Sequence, residues 1–181
     1  VHEGTLYIGA CDRKFYAIEE ATEDERLEAV ARPEGEAAPE KQAAHVFDGA
    51  GNWFWTQALA YNGEIWVGCL DHKVYVLDAA SLEEIGEYET QGMVYAPPVL
   101  LEGRIIVGSQ DGNVYAFDPQ DETAAAETLY SFEAPILAPL YPDPENGIVY
   151  VHAQDGEHTL HALRVAEKEV IWSYRTDDIS Q

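Results

Sequence analysis

Apolar and polar positions alternate with a period of two through most of this chain, and the alternation comes in short runs that repeat. Residues 4–10 read GTLYIGA, 63–69 GEIWVGC, 103–109 GRIIVGS and 147–153 GIVYVHA. Each is followed by an Asp-containing turn and a second apolar run, at 14–18, 73–77, 113–117 and 159–163. Two alternating runs joined by such a turn predict a β-hairpin. From Gly63 onward the phrases recur at intervals of roughly 40 residues, the spacing of stacked β-modules or propeller blades.

A four-strand unit is clearest in the third module. Residues 94–101 form an apolar strand carrying Pro97 and Pro98, so its proline end belongs at an edge or bulge. Residues 104–109 follow, with Ile105 and Val107 on one face and Ile106 on the other, then 113–118 and 128–133. The same order is expected at 53–60, 64–69, 73–78 and 84–90, and at 136–141, 147–153, 159–164 and 169–176. The first module begins at its second strand, at Gly4, and its fourth is expected at 44–48.

The fold class this predicts is all-β, four propeller-type blades of antiparallel strands forming one propeller segment over 1–181. Blade 1 runs from about 4 to 48 without its first strand, blade 2 from about 53 to 90, blade 3 from about 94 to 133 and blade 4 from about 135 to 176. Ile179 aligns with Val94 and Gln181 with Ala96, where a next module's first strand would begin. A segment of a larger ring, or a chain whose last residues complete the first blade, both fit.

Residues 19–42 interrupt the period with charged residues, two prolines and almost no large apolar side chains. They are expected to form a solvated loop, with a short helix at 23–31 before Pro33; a recognition loop for a basic partner is the alternative.

Charge narrows the partners. The 34 Asp and Glu against 10 Lys and Arg give a formal net charge of −24. Such a surface repels nucleic-acid phosphates and anionic lipid headgroups, and suits a basic protein partner, divalent cations or a high-salt habitat. The chain holds no apolar run approaching the ~20 residues of a membrane span. It begins at Val1 and shows no signal peptide, which says nothing about export. The two cysteines, Cys11 and Cys69, are one residue out of register in their modules and are expected as buried thiols rather than a bridge.

With these residues in view the chain resembles the pyrroloquinoline-quinone-like (PQQ-like) repeat proteins, whose unit has the form G-apolar-Y-V-G-x-x-D-G-x-[LV]-Y-A-[LI]-D. Residues 103–118 (GRIIVGSQDGNVYAFD) match it nearly throughout and 63–78 (GEIWVGCLDHKVYVLD) almost as well. Trp172 takes the place of the tryptophan that closes such a repeat, where modules two and three carry Gly86 and Tyr130. The resemblance implies a propeller, commonly of about eight blades. The family holds both binding scaffolds, such as the BamB-like outer-membrane assembly lipoproteins, and quinoprotein alcohol dehydrogenases. It thus implies a non-catalytic, periplasmic or extracellular scaffold for protein partners, with a quinoprotein-like enzyme fragment or the sensor domain of a membrane receptor as alternatives. Quinoproteins set a disulfide of adjacent cysteines against the quinone, and this chain has no adjacent pair. No cofactor is therefore expected. Two copies related by a two-fold axis would close one ring, a homodimer.

Candidate site residues are few. In module four His152 replaces the usual Gly, His161 the usual Tyr, and an inserted Glu157-His158 lengthens the turn. Imidazoles and carboxylates there suit a divalent metal, against the alternative of a hydrogen-bonded hairpin with incidental histidines. The recurring hairpin Asp (Asp12, Asp71, Asp111, Asp155) is expected to cap its own turn rather than bind calcium. Trp53, Phe54 and Trp55 lie where the chain crosses between blades. Blade packing is expected to absorb Trp53 and Trp55, and an aromatic anchor for a partner at the rim is the alternative.

Overall fold

The computed structural model describes residues 1–26, 40–121 and 125–175. Blade 1 is the three-stranded sheet of β1 (Thr5–Gly9), β2 (Phe15–Glu19) and β3 (His45–Phe47). Blade 2 holds β4 (Leu59–Tyr61), β5 (Glu64–Gly68), β6 (Lys73–Asp78) and β7 (Glu84–Glu89). Blade 3 holds β8 (Val99–Leu101), β9 (Arg104–Gly108), β10 (Asn113–Phe117) and β11 (Glu127–Ser131), and blade 4 β12 (Tyr141–Asp143), β13 (Ile148–Asp155), β14 (His158–Arg164) and β15 (Glu169–Tyr174). All pairings are antiparallel between chain neighbours, the up-and-down meander of a propeller blade. Asn62-Gly63 and Glu102-Gly103 enter β5 and β9 with positive φ at both residues, the mirror-image turn whose twist matches flanking strands.

Because side chains alternate, each sheet offers one apolar face to the blade before it and one to the blade after it. Tyr7, Phe15, Ala17 and Phe47 of blade 1 meet Ile65, Val67, Tyr75 and Leu77 of blade 2. Trp66, Val74, Val76 and Tyr88 meet Ile105, Val107, Tyr115 and Phe117 of blade 3. Ile106, Val114, Ala116 and Leu129 meet Val149, Val151, Ala153 and Leu163 of blade 4. Each large side chain so buried contributes about 1.5–3 kcal/mol, so the cores lie between the sheets and hold the blades together.

The first strands are shorter than the sequence predicts. Of 53–60, 94–101 and 136–141, only β4 and β8 and the three residues from Tyr141 pair in their sheets. The apolar stretch before them is an extended crossing segment instead, and the one entering blade 3 bonds to two blades. In blade 3, Met93 C=O accepts from Gln110 N–H of its own blade at 2.9 Å, and Val94 N–H donates to Cys69 C=O of the preceding blade at 3.1 Å.

Tyr130 also differs from expectation. It pairs with Val114, as Tyr88 pairs with Val74 and Tyr174 with Leu160, so it belongs to their column and not to that of Trp172. Glu127 stands opposite Ala116, in the column of Trp172 and Gly86, and a β-bulge between it and Tyr130 turns Leu129 into the core.

Of the helix expected at 23–31, one turn at 23–26 is described and the rest lies outside the described residues. Its start is a reciprocal cap: Glu25 N–H donates to Thr22 Oγ1 (3.3 Å) and Thr22 N–H to Glu25 Oε2 (2.6 Å).

Candidate partner-binding rim

The crossing segments build one repeated surface. Burial alternates along 53–56, 93–96 and 135–137, with Phe54, Val94 and Ile136 inside and Trp53, Trp55 and Leu137 exposed. The inward residue of each fits a place where a strand runs out into glycine. A Cβ on Gly9, Gly68 or Gly108 would lie 2.2 Å from Phe54 Cβ, 2.3 Å from Val94 Cγ1 and 2.6 Å from Ile136 Cγ2. Phe54 therefore sinks among Phe15 (5.4 Å), Phe47 (6.3 Å) and Tyr75 (5.8 Å), and its two neighbours must point outward.

This reverses the expectation that blade packing absorbs Trp53 and Trp55, which are 41% and 57% exposed. Their rings stack at 6.1 Å, and Trp55 meets half-buried Tyr95 of the next crossing edge-on at 6.1 Å. Below them, Trp55 Nε1–H donates to Cys11 Sγ at 3.3 Å. Cys11 is thus exposed rather than buried as expected; Cys69 is buried, and both are free thiols. Leu137 holds the matching place in blade 4. Tyr95 and Leu137 escape a search for consecutive aromatics, although aligning MVY and PIL with WFW finds them.

Carboxylates hold this rim in shape. Asp71 Oδ2 accepts from Tyr75 O–H (2.8 Å) and from Gly51 N–H (2.7 Å) of the incoming crossing. Asp111 repeats this with Tyr115 O–H and Gln91 N–H, both at 2.8 Å, and caps its turn through Asn113 N–H. Asp12 caps Lys14 N–H and accepts from Tyr16, whose hydrogen bond holds its carboxyl below the usual range. These aspartates do more than cap turns: each ties a hairpin to a tyrosine, and in blades 2 and 3 to the chain entering the blade. Burial, then donation to the carboxylate, raises the pKa of both Tyr75 and Tyr115.

The histidines of blade 4 do not converge. His161 is buried, with Nδ1 2.8 Å from Ser173 Oγ and Nε2 2.9 Å from Ala153 C=O, so both ring nitrogens are taken. His158 is exposed with its ring 6.4 Å from that of His161, and His152 is exposed on the opposite face of the sheet. Among the described residues no group of three His, Cys, Asp or Glu could hold a metal ion.

Sheet order and packing define four blades of a β-propeller. The sequence profile of the family described as "Outer membrane protein assembly factor BamB" matches residues 49–180, and the chain belongs to that PQQ-like repeat family. An outer membrane protein assembly factor BamB of Nitrosomonas eutropha (strain DSM 101675 / C91 / Nm57) is 30% identical over 117 residues, 64% of this chain and 26% of that protein. The crystal structure of the computationally designed Ika8 protein superposes with a TM-score of 0.68 at 14% identity, over 96% of this chain and 47% of that one, a likeness of fold alone. The chain thus spans about a quarter of the relative and about half of the designed protein. Among the described residues no helix is long and apolar enough to cross a membrane.

Proposed function

We propose that this chain is a non-catalytic, extracytoplasmic propeller scaffold that binds a protein partner through its aromatic rim. The observation that carries this reading is the row Trp53, Trp55 and Tyr95, held in ring contact across two crossings. Large aromatics that are exposed yet backed by a rigid core lose little freedom on binding, and such residues dominate binding hot spots. The net charge of −24 favours a basic partner. The relative's printed role in outer membrane protein assembly supports both a protein partner and a periplasmic location.

The test is affinity capture from an envelope extract of the source organism, comparing wild type with Trp53→Ala/Trp55→Ala by quantitative mass spectrometry. A basic protein retained by the wild type and lost from the folded double variant is expected. Equal capture by both would remove the rim from the reading. Incubation with PQQ and Ca²⁺ tests the enzyme alternative, since a quinoprotein would acquire the cofactor's absorbance and a scaffold would not.

A second reading concerns assembly. Leu6, Ile8 and Val46 on the outer face of blade 1, and Trp172 and Tyr174 on that of blade 4, are exposed. In blade 2 the repeat equivalents of Leu6, Ile8 and Tyr174, which are Ile65, Val67 and Tyr88, pack blade on blade. Two copies about a two-fold axis would bury both faces and complete the ring. Light scattering across a concentration series should then find about twice 20.1 kDa, whereas a monomer throughout would dismiss it.

A further inference from the structure

Blades 2 and 4 share one register at their outer hairpin. In blade 2 Val76 lies opposite Gly86 and Leu77 opposite Glu84; in blade 4 Ala162 lies opposite Trp172 and Leu163 opposite Val170. Gly86 therefore stands where blade 4 carries Trp172, whose indole lies 5.8 Å from the ring of Tyr150. A Cβ on Gly86 would meet only Val76, at 3.9 Å. What remains is a notch of about 40 Å³ lined by Trp66, Val76 and Tyr88, with Glu64 and Glu87 beside them and Pro119 of blade 3. At ~10–15 Å³ per water centre, it takes the planar head of one side chain and nothing as large as a cofactor.

The lining selects the guest. Trp66 and Tyr88 are stacked at 5.7 Å and 11°. Trp66 Nε1–H donates to Glu64 Oε2 at 2.8 Å, while Glu87 turns its carboxylate to the other face of the sheet and pairs there with Lys73 Nζ at 2.7 Å. The indole bond does not use the second oxygen of the Glu64 carboxylate. Aromatic rings and the Glu64 carboxylate beside a slot that holds an indole in a sister blade fit a flat cation. Guanidinium is flat, stacks on rings and donates to carboxylates, whereas ammonium is compact and strongly hydrated. We propose that the notch over Gly86 is a subsite for an arginine side chain of a protein partner. The inference rests on the reading of the chain as a partner-binding propeller, but its test needs no partner.

The ¹⁵N-labelled chain is titrated with N-acetylarginine methylamide and, separately, with its neutral citrulline analogue. Arginine is expected to shift the Gly86 and Glu87 amides and the Trp66 indole N–H saturably, with citrulline at least tenfold weaker. Gly86→Trp restores the indole that blade 4 has and should abolish the response. Should that variant misfold, Glu64→Gln keeps an acceptor for the Trp66 indole and should weaken binding several-fold. No saturable shift, equal response to citrulline, or an unchanged response in folded Gly86→Trp or in Glu64→Gln would overturn the proposal. Trp53→Ala/Trp55→Ala should retain the arginine response. Loss of partner capture with that response intact bears on capture at the rim, and its reverse on the notch.

Discussion

Phe54 and Trp55 are neighbours in sequence with opposite duties. Phe54 is 2% exposed and touches three aromatic rings, so Phe54→Ala should cost about 3–5 kcal/mol, read as a lowered urea midpoint. Trp55→Ala removes a mostly exposed ring and should leave the midpoint within about 0.5 kcal/mol of wild type. A second residue-scale contrast concerns the thiols. Burial pushes the Cys69 thiol up from 9.0 to about 12. A thiol raised in the fold stabilises it fully below the unfolded pKa, and that stability drains away as pH rises toward the folded one. Tyr75 and Tyr115, raised above 10.0 by burial, act with the same sign. Melting temperature should therefore fall from about pH 9 upward, and less steeply in Cys69→Ala. Iodoacetamide at pH 8 should label Cys11 alone in the native chain; rapid labelling of Cys69 would contradict its burial.

At the scale of the elements, the links between blades rest on a carboxylate. Asp111 accepts from the Tyr115 hydroxyl, from Gln91 N–H of the crossing chain and from Asn113 N–H of its own turn. Asp111→Ala strands three donors at a partly buried seam and should cost about 2–3 kcal/mol, whereas Tyr115→Phe removes two bonds, its donation to Asp111 and the one it accepts from Asn113 Nδ2–H, and should cost about 1–2 kcal/mol by urea denaturation. The hairpins themselves were legible because alternation and Asp-Gly turns are local: the runs at 64–69, 73–78, 104–109 and 113–118 coincide with β5, β6, β9 and β10 to within a residue. The crossings were not, because WFWT or MVYA alternates like a strand whether its backbone pairs in its sheet or bridges two blades. Which of Trp53, Phe54 and Trp55 goes inward depends on Gly9, some 45 residues earlier, and that notch exists only after the blades meet. Likewise His161 reads as a ligand in sequence, yet Ser173 and Ala153 C=O claim its ring from across the sheet. Gly86 and Trp172 share a column because their hairpins bulge alike, and in blade 3 that column holds Glu127 rather than Tyr130, a register that residue spacing alone does not give.

For the whole molecule the dominant fact is charge. With 34 acidic against 10 basic side chains, most carboxylates have no cation to meet. β7 shows the consequence locally: Glu84, Glu87 and Glu89 are carried on one strand, and Lys73 pairs with Glu87 from the strand beside it. Screening by salt weakens the few exposed ion pairs, each worth at most about 1 kcal/mol, but it also weakens a far larger number of repulsions. The balance favours the fold, since the native blades hold like charges closer together than the unfolded chain does. Melting temperature should therefore rise as sodium chloride goes from about 10 mM to 0.5 M, with most of the gain below about 0.2 M, where the Debye length shrinks fastest. Chloride is the proper counterion, because sulfate strengthens apolar burial in any protein and would imitate the effect. Glu89→Gln lowers the charge on the most crowded strand and should raise the low-salt melting temperature while flattening the salt curve. A melting temperature that stays level or falls with sodium chloride would mean that the ion pairs, Glu127 with Arg104 and Lys168 foremost, outweigh the surplus of carboxylates.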